Sequence, residues 1–308
     1  MKKYFTCLCI ALTSFSNAQK IKITTQPAQQ NAVITIDEKP FTVFNYPDSL
    51  AKPFLWPIVT SGGATITRGY PVKPTANEPV DHPHHIGLWL NYENVNGLDF
   101  WNNSFAIPAA EKNKYGHIQD VKITNIKNGT EGILDYTANW NDINNNTLLK
   151  ENTRFVFSAD KNTRIIDRIT TLTAATDVAM PDVKDGLLGL RVAHAMELPV
   201  KDARQFTDAN GKVTTVEKND TSDITGNYIN SNGDMGDDAW GKRADWCMLF
   251  GKMVNDSVSI AIIDHPLNKG YPTCWHARGY GLFAANPLGQ KIFTNGASVL
   301  NFSLQKGA

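Results

Sequence analysis

Residues 134–140 alternate without a break. Leu134, Tyr136, Ala138 and Trp140 fall on one face of an extended chain, and Asp135, Thr137 and Asn139 on the other. Such a run buries one face and wets the other, as an antiparallel strand does. The Asn-rich stretch 141–146 follows and leads into a second run at 147–158, so the spacing predicts a hairpin closed by an Asn-rich turn. Short β-branched and aromatic runs recur at 32–36, 116–126, 163–173, 187–198, 245–254, 258–264, 280–285 and 299–304, separated by Asn, Asp, Gly and Pro. Almost nothing between them has helical period. The expected fold is all-β: one large antiparallel β-sandwich of two long sheets over residues 19–308, with no composition shift to divide it. The segment 219–243 is rich in Asn, Asp, Gly and Ser and long for a connection, so it reads as a loop over a binding site or as a surface insertion. The chain ends at 305–308 directly after a strand-like run, which leaves the expectation that a last strand is missing.

The first residues have the pattern of a secretion signal: Lys2 and Lys3, an apolar stretch over 4–15, then Ser-Asn-Ala before Gln19. Cleavage after Ala18 and a periplasmic or secreted protein are the expectation. No later segment approaches the roughly 20 apolar residues of a membrane helix. Outside the signal stand Cys247 and Cys274, one disulfide or two buried thiols. Without Lys2 and Lys3 the 30 basic residues become 28 against 30 acidic ones, and no electrostatic footprint for nucleic acid or an anionic membrane is visible.

Chemistry concentrates in a few places. Three of the seven histidines lie within Asp81-His82-Pro83-His84-His85. If Pro83 holds this stretch extended, His82 and His84 point to one side and Asp81 and His85 to the other. Such a pair suits proton transfer near neutral pH or, with a third ligand, a metal. The triplet Asp264-His265-Pro266 ends an apolar run, and Trp275, His276 and Arg278 follow after a short loop. They supply an aromatic plate, a proton carrier and a fixed cation, a combination that suits a sugar; Trp275 reads equally well as core. Within 189–197, Arg191 is a charge in an apolar strand and needs a partner or a cleft. Alternation puts His194 on the opposite face, so the two share a pocket only across a bulge. Arg68, in Thr67-Arg68-Gly69, is a further candidate. The phosphate-loop, dinucleotide-fold, zinc-peptidase and nucleophile-elbow motifs are absent.

Thr67-Arg68-Gly69, Asp81-His82-Pro83-His84-His85 with Gly87-Leu88-Trp89, Asn96-Gly97 with Asp99-Phe100-Trp101, Asp264-His265-Pro266 and Pro272 with Trp275-His276 and Arg278 together resemble a family of exported bacterial proteins labelled "PmoA family" or "methane oxygenase". The resemblance spans most of the chain. It implies a galactose-mutarotase-like supersandwich and a setting among exported proteins that process plant or algal sugars. The expectation is a carbohydrate-active enzyme, a hydrolase, lyase or epimerase on a glycoside or oxidised sugar. His84, His85, His265 and His276 are its proton carriers, with Asp264 and Asp81 orienting imidazoles. Arg68, Arg191 and Arg278 orient oxygens, and Trp89, Trp101 and Trp275 offer stacking surfaces. No resident cofactor is expected. Two alternatives stand beside it: a metal enzyme using His82, His84 and His265 for a divalent ion, and a sugar-binding protein without turnover.

Overall fold

The computed structural model describes residues 19–199, 204–207, 213–216, 222–254 and 256–308. The expected signal lies outside the described residues, as do 219–221 of the Asn-rich segment.

The alternating run becomes the strand Gly132–Asn141, with Leu134, Tyr136, Ala138 and Trp140 all buried. It pairs antiparallel with Thr147–Ala159 across the expected turn, where Asp142 Oδ1 accepts the Asn144 and Asn146 backbone N–H groups. His117–Lys127 and Arg164–Ala174 complete a four-stranded sheet. Facing it is an eight-stranded sheet in the order Ile21–Gln26, Asn31–Ile36, Lys39–Asn45, Phe54–Ile58, Leu88–Tyr92, Gly186–Arg191, Leu282–Asn286 and Cys274–Arg278, antiparallel throughout. The fold is an all-β sandwich. Phe44 packs on Tyr136 with ring centres 4.6 Å apart and Phe41 on Phe157 at 6.0 Å, joining the two sheets. Smaller sheets supplement the two expected ones.

Inside the four-stranded sheet one charge is buried with its partners. The Glu151 carboxylate accepts hydrogen bonds from Tyr136 Oη at 2.5 Å, Thr153 Oγ1 at 2.7 Å, Arg168 Nη2 at 2.7 Å and Trp140 Nε1 at 2.8 Å. A buried carboxylate is tolerated when its lone pairs are filled in this way.

Part of the segment read as a loop or insertion is built into the fold. Asn227–Asn230 forms a strand against Trp246–Met253, which pairs in turn with Asp256–Ile263, and Ile224 and Tyr228 are buried. Its Asn and Asp side chains tie the short turn after that strand: Asn230 Oδ1 accepts the Asn232 and Asp234 backbone N–H groups. Cys247 and Cys274 are free buried thiols, their pKa values pushed up by burial to about 12 and about 11. No helix among the described residues is long and apolar enough to cross a membrane.

Candidate functional site

The eight-stranded sheet has two faces. Leu90, Tyr92, Leu190, Trp275 and Phe283 belong to the core between the sheets. Alternation sends Trp89, Arg191, Leu282, Ala284, His276 and Arg278 to the other face, where Trp89, Leu282 and Ala284 join Phe54, Ile86 and Trp101 in a second buried cluster. Register aligns one row across four strands: Trp89 opposite Gly189, Gly189 opposite Ala284, Ala284 opposite His276. Glycine is required within this row because a Cβ at Gly189 would lie 2.5 Å from Trp89 and 2.8 Å from Trp101. The start of Leu88–Tyr92, the end of Gly186–Arg191 and the turn joining Cys274–Arg278 to Leu282–Asn286 meet at one end of the sheet. The polar cluster stands there.

Its loop, 81–87, departs from the extended form expected of it. His82 has a left-handed φ of 47°, and the His85 backbone N–H donates to the His82 carbonyl at 3.0 Å, closing a turn. The Arg68 guanidinium makes this turn. It is fully buried and donates to the carbonyls of Pro79 (3.3 Å), Asp81 (2.8 Å), His82 (3.0 Å) and His85 (3.3 Å) and to Asp81 Oδ1 (2.7 Å). Gly87, at φ +56°, closes the loop where a Cβ would stand 2.2 Å from the Leu55 carbonyl oxygen. In place of opposite sides, the rings of His82 and His85 lie parallel, 4.9 Å apart, and His82 stacks on Tyr280 at 5.0 Å. His84 stands edge-on to both His85 (4.3 Å) and His82 (5.6 Å).

Asp81 is the hub. Its Oδ1 receives Arg68 and Arg191, each at 2.7 Å, and its Oδ2 lies 2.9 Å from His82 Nδ1. Burial pushes this carboxyl up, but the His82 hydrogen bond and the two guanidiniums outweigh it and hold it well below the carboxylate range. Arg191 also reaches Glu197 Oε1 at 3.5 Å, and His194 Nδ1 lies 2.9 Å from Glu197 Oε2. Alternation had separated Arg191 from His194. The strand ends at Arg191 and a 3-10 turn, His194–Met196, carries His194 back to the same carboxylate.

Burial sorts the candidates. Within the loop, His82 keeps 40% of its side chain exposed, whereas His85 is buried and its pKa falls well below the ordinary histidine value on desolvation, with His84 and Arg191 adding to it. His84 is lowered to about 2 by burial, then by Lys52 and His82. Arg68 and Arg191 are sealed in and act as scaffold to the loop. Arg278 is partly exposed, stacked over Trp240 and Tyr280 at 5.7 Å from each ring. Trp89 and Trp101 are fully buried and floor the site beneath His85, with no face open for a ligand. Trp275 packs in the inter-sheet core and donates its Nε1–H to the Ala244 carbonyl.

The second Asp-His-Pro stays apart from the first. Asp264 accepts the Thr273 backbone N–H and the Asn268 amide, fastening its own loop, while exposed His265 accepts the Leu267 backbone N–H through Nδ1. His276 is buried under Trp240 and Phe293 and lowered to about 3 by burial. Among the described residues no group of three or more His, Cys, Asp and Glu is placed to hold a metal ion, His82, His84 and His265 included.

Two members of the site carried no signal in the sequence. Tyr280 stacks on His82 and lies under the Arg191 and Arg278 cations, its phenol raised to about 12 by burial. Lys52 is buried over the Trp89 ring at 4.9 Å. The arrangement can orient an accessible imidazole on a carboxylate, present a neutral phenol beside it, and hold both within a ring of fixed cations.

No curated protein and no solved structure matches the chain. Residues 31–308 match a model described as "Family of unknown function (DUF6807)", and over that span the chain belongs to this family.

Proposed function

We propose that this protein is an enzyme acting on a sugar, a glycoside or an oxidised sugar, by acid–base chemistry centred on His82 and His84. The observation that carries the reading is the Asp81–His82 pair: a carboxylate fixed by two buried arginines holds one ring nitrogen of a partly exposed imidazole, leaving the other for a reacting proton. In this reading His82 exchanges a proton with the substrate, and the protonated Tyr280 phenol donates a hydrogen bond to an oxygen gaining charge. His84, held neutral by burial and the surrounding cations, becomes the more basic as an anionic ligand offsets those cations. The resemblance of its motifs to the exported family labelled "PmoA family", with the sugar-processing setting that it implies, supports sugar as the substrate, and the signal-like pattern of residues 1–18 supports action in the periplasm or outside the cell.

A turnover screen on glycosides and their keto and uronate forms tests this. His82→Ala is expected to lower kcat/KM by about 10²–10⁴-fold, the range for a general acid or base. A chelator is expected to leave turnover unchanged; loss of activity would turn the reading toward a metal enzyme. Unchanged turnover in His82→Ala sinks the proposal, and ligand binding with no turnover on any sugar points to a binding protein.

A further inference from the structure

On the other side of the 81–87 loop, Pro83 and Ile86 form part of the wall of a cleft of about 200 Å³, which Lys52, Asn103, Phe105 and Tyr115 also line. Two of these residues have bonding capacity that the protein leaves unused. The Lys52 ammonium is buried, and its Nζ donates to the Trp101 carbonyl at 3.2 Å; no carboxylate of the described residues lies within ion-pair distance. A lysine buried without a counter-ion costs several kcal/mol and is unusual as a purely structural choice. Asn103, 8% exposed, gives its amide N–H to the Gly116 carbonyl, while its Oδ1 is buried with no donor. The cleft therefore lacks one anion and one hydrogen-bond donor. Phe105, 63% exposed at its edge, adds an apolar face. A uronic acid supplies all three: a carboxylate, hydroxyl donors, and a ring whose C–H face packs on an aromatic.

We propose that this cleft binds the uronate unit of the substrate, its carboxylate paired with Lys52, a hydroxyl donating to Asn103 Oδ1, and its C–H face on Phe105. The proposal rests on the sugar reading above and names its substrate class. Pro83 and Ile86 belong to the histidine loop and Lys52 acts on His84 electrostatically, so a uronate held there borders that loop.

Binding should follow the charge on Lys52. Burial lowers its pKa to about 7, against the opposing pull of Asp99. The other ionisable groups near it are His84, already neutral above pH 6, and, around the cleft, Asp48, Lys112, Tyr115 and His117. The bound form needs the ammonium, so affinity for a uronate should fall about tenfold per pH unit above 7.

The test is calorimetric titration of the full chain with D-glucuronate, D-galacturonate and D-mannuronate, and with the matching neutral sugars, at pH 6 and pH 9. At least one uronate should bind at pH 6, more than tenfold more weakly at pH 9, with its neutral counterpart at least tenfold weaker. Lys52→Met should abolish the preference for the acid. It replaces a buried amine that has no ion-pair partner among the described residues with an apolar side chain of similar length, so it should fold at least as well as the parent. Phe105→Ala, at an exposed position, should weaken binding without affecting folding. Absence of uronate binding, equal affinity for neutral sugars, pH-independent binding, or unchanged affinity in Lys52→Met would each overturn the proposal. The His82→Ala variant separates the two readings: uronate binding that persists in it while turnover is lost upholds both, and persistent turnover overturns only the acid–base assignment.

Discussion

Asp81 holds His82 through one carboxylate oxygen, 2.9 Å from Nδ1, and spends the other on two arginines that are sealed from solvent. The same side chain thus orients the imidazole and neutralises the guanidiniums beneath it.

Asp81→Asn keeps the shape and removes the charge. Arg68 and Arg191 then face each other with Glu78 and Glu197 as the remaining nearby anions. Breaking a buried pair from one side costs about 3–5 kcal/mol, which urea unfolding should report as a lower midpoint at unchanged slope. Turnover should fall together with stability, because His82 loses the acceptor that fixes its tautomer.

Arg68→Lys keeps the charge and removes the fork. A lysine ammonium has three donors on a flexible stem and cannot span the carbonyls of Pro79, Asp81, His82 and His85 together. His82 would leave its left-handed conformation, which is uncommon outside glycine and is maintained here by those contacts. Hydrogen exchange should show faster amide exchange confined to the 81–87 loop, with turnover reduced. Exchange unchanged in the loop would argue against Arg68 as its fastener.

The hairpin of the four-stranded sheet was legible because its alternation is set by burial of one face, and period two is visible in any single strand. The histidine loop was legible as a cluster but not as a shape. Pro83 argued for extension, and the force that overrides it comes from Arg68, which only the fold brings close. The pairing of Arg191 with His194 through Glu197 was hidden by a strand that stops short and turns. Trp275 and His276 are neighbours in sequence with opposite fates: the pleat sends Trp275 into the core and His276 to the outer face. Lys52 carried no pattern at all, since a buried lysine looks like a surface lysine until the chain around it is known.

Glu151 tests the other sheet. Glu151→Ala would leave Arg168 without its carboxylate and Tyr136 Oη and Trp140 Nε1 without an acceptor, all within the core. The expected loss is about 3–5 kcal/mol by urea unfolding. Glu151→Gln, which keeps an acceptor oxygen, should lose less. Equal effects for the two variants would show that shape rather than charge matters here.

Stability should fall as acid is added well before the carboxylates titrate. His84, His85 and His276 have folded-state pKa values lowered by burial, to about 2 for His84 and about 3 for His276. In the unfolded chain each titrates near about 6.5. Between the two values the unfolded state binds the proton and the folded state does not, so stability is full above about pH 6.5 and declines below it. Asp81, lowered in the fold, adds its own loss only below about pH 4. His276 isolates the histidine effect. It lies between Trp240 and Phe293, and although Asp185 Oδ1 is within ion-pair distance of its Nδ1 at 3.4 Å, that nitrogen makes no hydrogen bond. His276→Phe suits those aromatic neighbours and cannot be protonated. Whatever its effect at pH 7.5, its unfolding free energy should fall less steeply between pH 6 and pH 4 than that of the parent, by about 1.4 kcal/mol per pH unit. Identical slopes for parent and variant would mean that His276 takes up its proton inside the fold, with Asp185 moving in as its counter-ion.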